Sequence, residues 1–213
     1  RGLCFVRYAD DCNIYVRSER AGQRVMASIR SFLERRLRLR VNQEKSAVDL
    51  AQRRHFLGFR VSANQKGHVT VQLSRRSFDR LGQRIRDLTP RTWGQSLDDC
   101  CKQLDGYFRG WMGYFHPCTR EVLRTLHYFD GHVRGRLRAI IVKQKKRPRH
   151  LFRDLLHRGV NRPSAWKSAF SRRGTWWKSH SSGLDKAYSN KWFAHRVTPL
   201  ETLWLRFNDR KGT

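Results

Sequence analysis

The chain has 213 residues, with 46 Lys+Arg against 17 Asp+Glu and a formal net charge of +29. Its 38% hydrophobic and 12% aromatic content excludes a disordered basic tail. No apolar run approaches the roughly 20 residues of a membrane span, and no signal-peptide pattern opens the chain.

A self-repelling charge of this size calls for a polyanionic partner, and nucleic acid is the default. The charge is uneven. Residues 1–73 carry 15 basic and 6 acidic side chains, residues 74–118 carry 8 and 5, and residues 119–213 carry 23 and 6. The last part is therefore the main expected polyanion surface. No basic amphipathic helix with an unbroken apolar face stands alone, so an anionic membrane surface is not the expected partner. The five cysteines (Cys4, Cys12, Cys100, Cys101, Cys118) form no C-x-x-C pair. They read as reduced thiols of a cytosolic protein, mostly filling cores. The chain opens at Arg1, inside an expected strand, and so reads as the C-terminal part of something larger.

Leu3–Tyr8 and Cys12–Val16 are short runs of β-formers, and Ala9-Asp10-Asp11 lies between them. This pattern predicts a β-hairpin with two adjacent carboxylates at its tip. Val25, Ile29, Phe32, Leu33 and Leu37 then predict a helix. A short strand is expected around Leu39-Arg40-Val41 and a turn at Asn42–Lys45. A strand follows over Phe56-Leu57-Gly58-Phe59-Arg60-Val61, then a turn at Gly67 and a strand at Val69–Val71.

Three amphipathic stripes come next. They are Phe78, Leu81, Ile85, Leu88; then Leu97, Cys101, Leu104, Phe108, Trp111, Phe115 with Ser96 as N-cap; then Val122, Leu126, Phe129, Val133, Leu137, Ile140. Pro90 and Pro117 punctuate them, which predicts a small helical bundle. The third helix ends in a run of cations: Arg134, Arg136, Arg138, Lys143, Lys145, Lys146, Arg147 and Arg149. A helix dipole favours a few of these, not eight. From Leu151 the pattern loosens. Trp166, Trp176, Trp177, Trp192 and Trp204 sit in a basic, Ser- and Gly-broken setting. Two readings stay open for them: aromatic core of a loop-rich domain, or stacking on unpaired bases.

Adjacent carboxylates disfavour joint ionisation unless a cation stands between them and water. Two-metal phosphoryl transfer uses such a group, and Mg²⁺ takes one or two carboxylates with water and substrate phosphates. Phe5-Val6-Arg7-Tyr8-Ala9-Asp10-Asp11 resembles the Tyr-x-Asp-Asp box of reverse transcriptases, in the form used by bacterial group II intron proteins. Asn42-Gln43-Glu44-Lys45-Ser46 and His55-Phe56-Leu57-Gly58-Phe59 resemble the blocks that follow it. Arg109-Gly110-Trp111-Met112-Gly113-Tyr114-Phe115 and Asp130–Arg138 resemble the maturase-specific motifs. The resemblance runs to about Leu205.

The resemblance implies an α+β fold: a remnant of a right-hand polymerase palm (hairpin, helix, short strands) in 1–73, then a mainly helical thumb/maturase domain in 74–149. Residues 150–205 would be a basic, Trp-rich end of the maturase region and 206–213 a tail. It implies catalytic, Mg²⁺-binding roles for Asp10 and Asp11, in a two-metal site completed by an Asp absent from this chain. Tyr8 would back the primer terminus and nucleotide. Lys45 matches a position near the departing pyrophosphate, although a surface turn accounts for it as well. Phe56, Leu57, Gly58 and Phe59 would form the primer grip. Arg134, Arg136, Arg138, Lys143, Lys145, Lys146 and Arg147 would bind RNA, whereas Trp111, Tyr114 and Phe115 fit the helix core.

The implied partners are group II intron RNA, template–primer and target DNA, in the bacterial cytoplasm near the nucleoid. Homodimerisation stays open. The implied activity is RNA-directed DNA polymerase and splicing maturase. Without the fingers and the first palm Asp, these residues alone are not expected to polymerise. The alternative is a non-catalytic RNA-binding splicing cofactor. The paired cysteines of the family's optional H-N-H endonuclease are not seen, since no Cys follows Cys118.

Overall fold

The computed structural model describes residues 3–63, 67–92 and 94–209. The chain is α+β and divides into two units, Arg1–Ser74 and Arg75–Thr213. Arg1, Gly2 and the last four residues of the expected tail lie outside the described residues, as do residues 64–66 of the turn at Gly67.

Unit 1 holds two separate antiparallel hairpins and one long helix. Strands β1 (Cys4–Tyr8) and β2 (Asp11–Tyr15) pair in the register Cys4↔Tyr15 to Tyr8↔Asp11. Helix α1 (Glu19–Arg35) starts at Ser18, whose Oγ accepts from the Ala21 N–H at 3.3 Å. Val25, Ile29 and Leu33 form its half-buried side, while Phe32 is exposed. Strands β3 (Phe59–Ala63) and β4 (Val69–Leu73) pair from Phe59↔Leu73 to Ala63↔Val69. Ser62 Oγ and Thr70 Oγ1 meet across this ladder at 2.7 Å.

Two expectations fail here. No strand forms at Leu39–Val41. Arg38 turns to φ 52°, and the Leu39 N–H reaches back to the Leu33 carbonyl at 2.9 Å, so this backbone closes α1 instead of extending. Nor is Phe56–Val61 one strand. Phe56 and Phe59 exchange both backbone hydrogen bonds, each at 2.9 Å, around Leu57 (φ 51°) and Gly58 (φ 82°). Two central residues with positive φ make a tight primed hairpin turn, and the strand starts only at Phe59.

Unit 2 is helical. Helix α2 (Arg75–Leu88) buries Leu81, Ile85 and Leu88, as its stripe predicts. Helix α3 (Leu97–Phe115) is capped by Ser96, whose Oγ accepts from the Asp99 N–H at 3.1 Å. It buries Cys100, Cys101, Leu104, Phe108 and Met112. Helix α4 (Leu123–Gln144) runs through the unit and buries Leu126, Phe129, Val133, Leu137 and Ile140. Six shorter helices follow: α5 (Pro148–His157), α6 (Arg162–Phe170), α7 (Thr175–Ser179), α8 (Ser182–Ala187), α9 (Asn190–Ala194) and α10 (Leu200–Asp209). The expected loop-rich end is therefore a set of short helices. Pro148 and Pro163 stand in the first turns of α5 and α6, where a missing N–H costs nothing.

Close backbone approach holds these short helices. A Cβ at Gly135 of α4 would come within 2.8 Å of His180 Nε2, and one at Gly183 of α8 within 2.9 Å of the Ser164 carbonyl. Long-range polar contacts add to this. Asp130 of α4 accepts from the N–H groups of Leu200 (2.8 Å) and Glu201 (3.2 Å), capping α10 from another helix. Trp204 Nε1 donates to the Cys118 carbonyl at 3.1 Å. Among the described residues no helix is long and apolar enough to cross a membrane.

Candidate catalytic tip and nucleic-acid interface

The β1–β2 hairpin turns through two residues, Ala9 and Asp10. Ala9 lies at φ 53°, where a turn of this length would normally place Gly. This turn sets Asp10 on the loop and Asp11 at the first position of β2, both exposed. Tyr8 pairs with Asp11 across the ladder, so the two share a face, and Tyr8 is itself exposed. Among the described residues neither carboxylate takes part in an ion pair, and no group of three or more His, Cys, Asp or Glu side chains could hold a metal. The donor set at the tip is thus two hard-oxygen groups open to water.

Lys45 ends a turn fixed by Asn42, whose Oδ1 accepts the Lys45 N–H at 3.1 Å; the side chain is exposed. Phe56, Leu57, Gly58 and Phe59 are half-buried in the tight turn described above. The Gly58 carbonyl accepts from the Ser74 N–H at 2.8 Å, which ties the turn to the end of β4.

In unit 2 the seven expected RNA-binding cations separate into two kinds. Arg136 is internal. Its Nη2 donates to the carbonyls of Thr89 (2.7 Å) and Arg86 (3.2 Å), and its Nε to Thr89 Oγ1. It caps the C-terminal end of α2, where carbonyls lack helical partners. Arg138 is buried. Its Nε and Nη2 hold the Tyr188 carbonyl, and Nη2 also meets Asp185 Oδ1 at 2.6 Å. Lys145 Nζ bonds to Asp154 Oδ1 at 2.8 Å. The donors of these three already serve protein acceptors. Arg134 is half-buried. Lys143, Lys146 and Arg147 are exposed at the end of α4 and start of α5. Lys146, at φ 51°, is the left-handed residue that ends α4.

The aromatic motif on α3 is only partly core. Met112, not its aromatic neighbours, is fully buried. Trp111 and Phe115 are half-buried and stack at 4.5 Å, while Tyr114 is 51% exposed. Arg109 has a positioning task missed at the sequence level. It bonds to Asp105 (2.7 Å) and Thr198 (3.3 Å), and Asp105 also accepts the Thr198 N–H at 2.8 Å, joining α3 to the segment before α10. Among the cysteines, burial pushes the Cys100 thiol up to about 11 and Cys101 and Cys118 to about 12. These three stay protonated and unreactive, whereas Cys4 and Cys12 are exposed.

Two family models match the chain. Reverse transcriptase (RNA-dependent DNA polymerase) matches residues 1–61, and the group II intron maturase-specific domain matches residues 78–159. No curated protein matches it.

Proposed function

We propose, for a chain that belongs to the group II intron-encoded reverse transcriptase/maturase proteins, that Asp10 and Asp11 carry the polymerase chemistry while unit 2 holds intron RNA. The full-length protein is an RNA-directed DNA polymerase. Its maturase domain binds intron RNA and assists splicing.

Reverse transcriptases use Mg²⁺, and the tip of the β1–β2 hairpin fits it. Mg²⁺ favours a few carboxylate oxygens with water and substrate phosphates completing the shell. Asp10 and Asp11 offer such a set, exposed and free of cationic partners among the described residues. Bound there, the metal would supply the positive charge that clamps the attacking and leaving oxygens of phosphoryl transfer. The chain's own residues do the rest. The paired strands hold both carboxylates in place. Tyr8, beside Asp11, presents its ring to the primer end and nucleotide. The Phe56–Phe59 turn supports the primer, and Lys45 offers its ammonium to the leaving phosphates. In this reading unit 1 is part of a polymerase palm, and unit 2 is thumb and maturase region. Lys143, Lys146 and Arg147 meet RNA phosphates.

The observation that carries this is a carboxylate pair at a hairpin tip inside the segment that matches reverse transcriptases. In the full-length protein, Asp10→Ala should abolish Mg²⁺-dependent primer extension and leave intron RNA binding within a few-fold. Retained extension, or RNA binding lost together with extension, would count against it.

A further inference from the structure

Helices α5, α6 and α7 carry an open aromatic feature. Trp166 of α6 stacks on Phe170 one turn later, with ring centroids 4.1 Å apart at 28°. Phe152 of α5 meets Trp166 edge-on at 5.7 Å. Despite these two neighbours, 57% of Trp166 is exposed. Burial of a large aromatic ring stabilises a fold strongly, so an indole braced in place and left open is unusual. An open pocket of about 400 Å³ lies beside it, lined by Trp166, Lys167, Phe170, Ser171, Arg173 and Trp177. That is within the roughly 300–1,000 Å³ of small-ligand sites.

The charged groups around the pocket are of one sign. Lys167 is exposed, and the Arg173 guanidinium lies 4.7 Å over the Trp177 ring. From Leu155 to Leu184 the chain has six Lys and Arg and no Asp or Glu. Trp166 and Trp177 border the pocket without stacking on each other. A flat apolar wall with cations at its rim matches the chemistry of a nucleotide, with a π face for the indole and a phosphate for the Lys and Arg. A duplex hides its base faces, so the ligand must be unpaired.

We propose that this pocket is a stacking subsite for one unpaired nucleotide of a single strand, with its base on Trp166 and its phosphate between Lys167 and Arg173. The proposal rests on the nucleic-acid-binding reading of unit 2 and adds to it a place and a preference for single strands. Base stacking on one aromatic residue accounts for roughly tenfold or more in affinity.

The test compares binding of the full chain to oligouridylate, to oligothymidylate and to a blunt RNA duplex of equal length. Trp166→Ala should weaken binding of at least one single strand about tenfold and leave duplex binding and its salt slope unchanged. Trp166→Phe should recover most of the loss. The single strand more affected identifies RNA or DNA as the source of the nucleotide. Equal loss on single strand and duplex, or no loss, overturns the subsite. A chain that binds none of the three overturns the wider nucleic-acid reading instead. With the unaltered chain, ultraviolet crosslinking to the more affected strand, carrying 5-iodouridine if RNA or 5-iododeoxyuridine if DNA, should map to Trp166 or Trp177. Crosslinks confined to other helices also overturn the subsite.

Discussion

Arg138 of α4 grips the backbone carbonyl of Tyr188 with two donors, Nε at 3.0 Å and Nη2 at 2.8 Å. The two residues are 50 positions apart, and both are buried. This contact, with the 2.6 Å pair to Asp185, fastens α8 to the long helix. Its guanidinium also lies over the Phe193 ring at 5.6 Å. Loss of Arg138 would leave a buried carbonyl without a donor and a space beside Phe193. Arg138→Ala should therefore lower the unfolding free energy by about 2–3 kcal/mol, read by denaturant titration. Arg138→Lys should recover little, because one ammonium cannot reproduce the fork. A variant as stable as the parent would show that this contact does not fasten α8 to the long helix.

Lys143, Lys146 and Arg147 behave in the opposite way. They are exposed, so changing all three to Ala should alter stability by no more than about 0.5 kcal/mol for each. If they meet phosphates, RNA affinity should fall, and the slope of log K against log salt should become shallower by about 2–3. An unaltered slope would show that this end of α4 faces away from RNA.

The contrast shows what the sequence reveals and what it conceals. Leu81, Ile85, Leu126 and Leu137 announce their burial through helical spacing, and all are fully buried. The tip at Asp10 and Asp11 is legible too, since β-formers flank a two-residue loop. Arginines are different. Arg136 and Arg138 reach carbonyls at Thr89 and Tyr188, roughly fifty residues away, and no local pattern distinguishes such a task from a solvated one. The turn at Leu57-Gly58 is hidden for a related reason. Leu rarely adopts positive φ, so its side chain type points to a strand. The tryptophans differ in exposure, which helical spacing does not encode. Trp204 is buried with its N–H paired, and Trp166 and Trp176 are open.

Asp130 gives a pH-dependent test. Burial pushes its carboxyl up to about 6, against the opposing bonds from the Leu200 and Glu201 N–H groups and the Arg134 charge. The unfolded chain has the ordinary value near 3.8. Between these values the folded state binds more protons than the unfolded one, so stability falls as pH rises. The contribution is complete below about pH 4 and gone above about pH 6. The measurement is a difference between parent and Asp130→Asn, which cancels the pH dependence common to both chains. That difference should move against the parent by roughly 1–3 kcal/mol from pH 4 to pH 6. A flat or opposite difference would show that the α10 cap is not the buried carboxyl described.

Glycines supply the last prediction, because their neighbours differ so much. At Gly183 a Cβ would lie 2.5 Å from Ser168 Oγ and 2.9 Å from the Ser164 carbonyl. The Ser168 hydroxyl could rotate away, but it would abandon the Gly183 N–H it accepts at 3.2 Å, and the carbonyl belongs to helix α6 and cannot move freely. Gly183→Ala should then cost about 1–3 kcal/mol through forced separation of α6 and α8. Gly110 of α3 has open space where its Cβ would stand. Gly110→Ala should stabilise unit 2 by about 0.5–1 kcal/mol, because the helix gains a residue with less freedom to lose. Thermal melts of the two variants should move in opposite directions. If Gly183→Ala melts no lower than the parent, α8 does not rest on α6 as closely as its backbone indicates. If Gly110→Ala melts lower, the outer face of α3 is covered by another surface in solution.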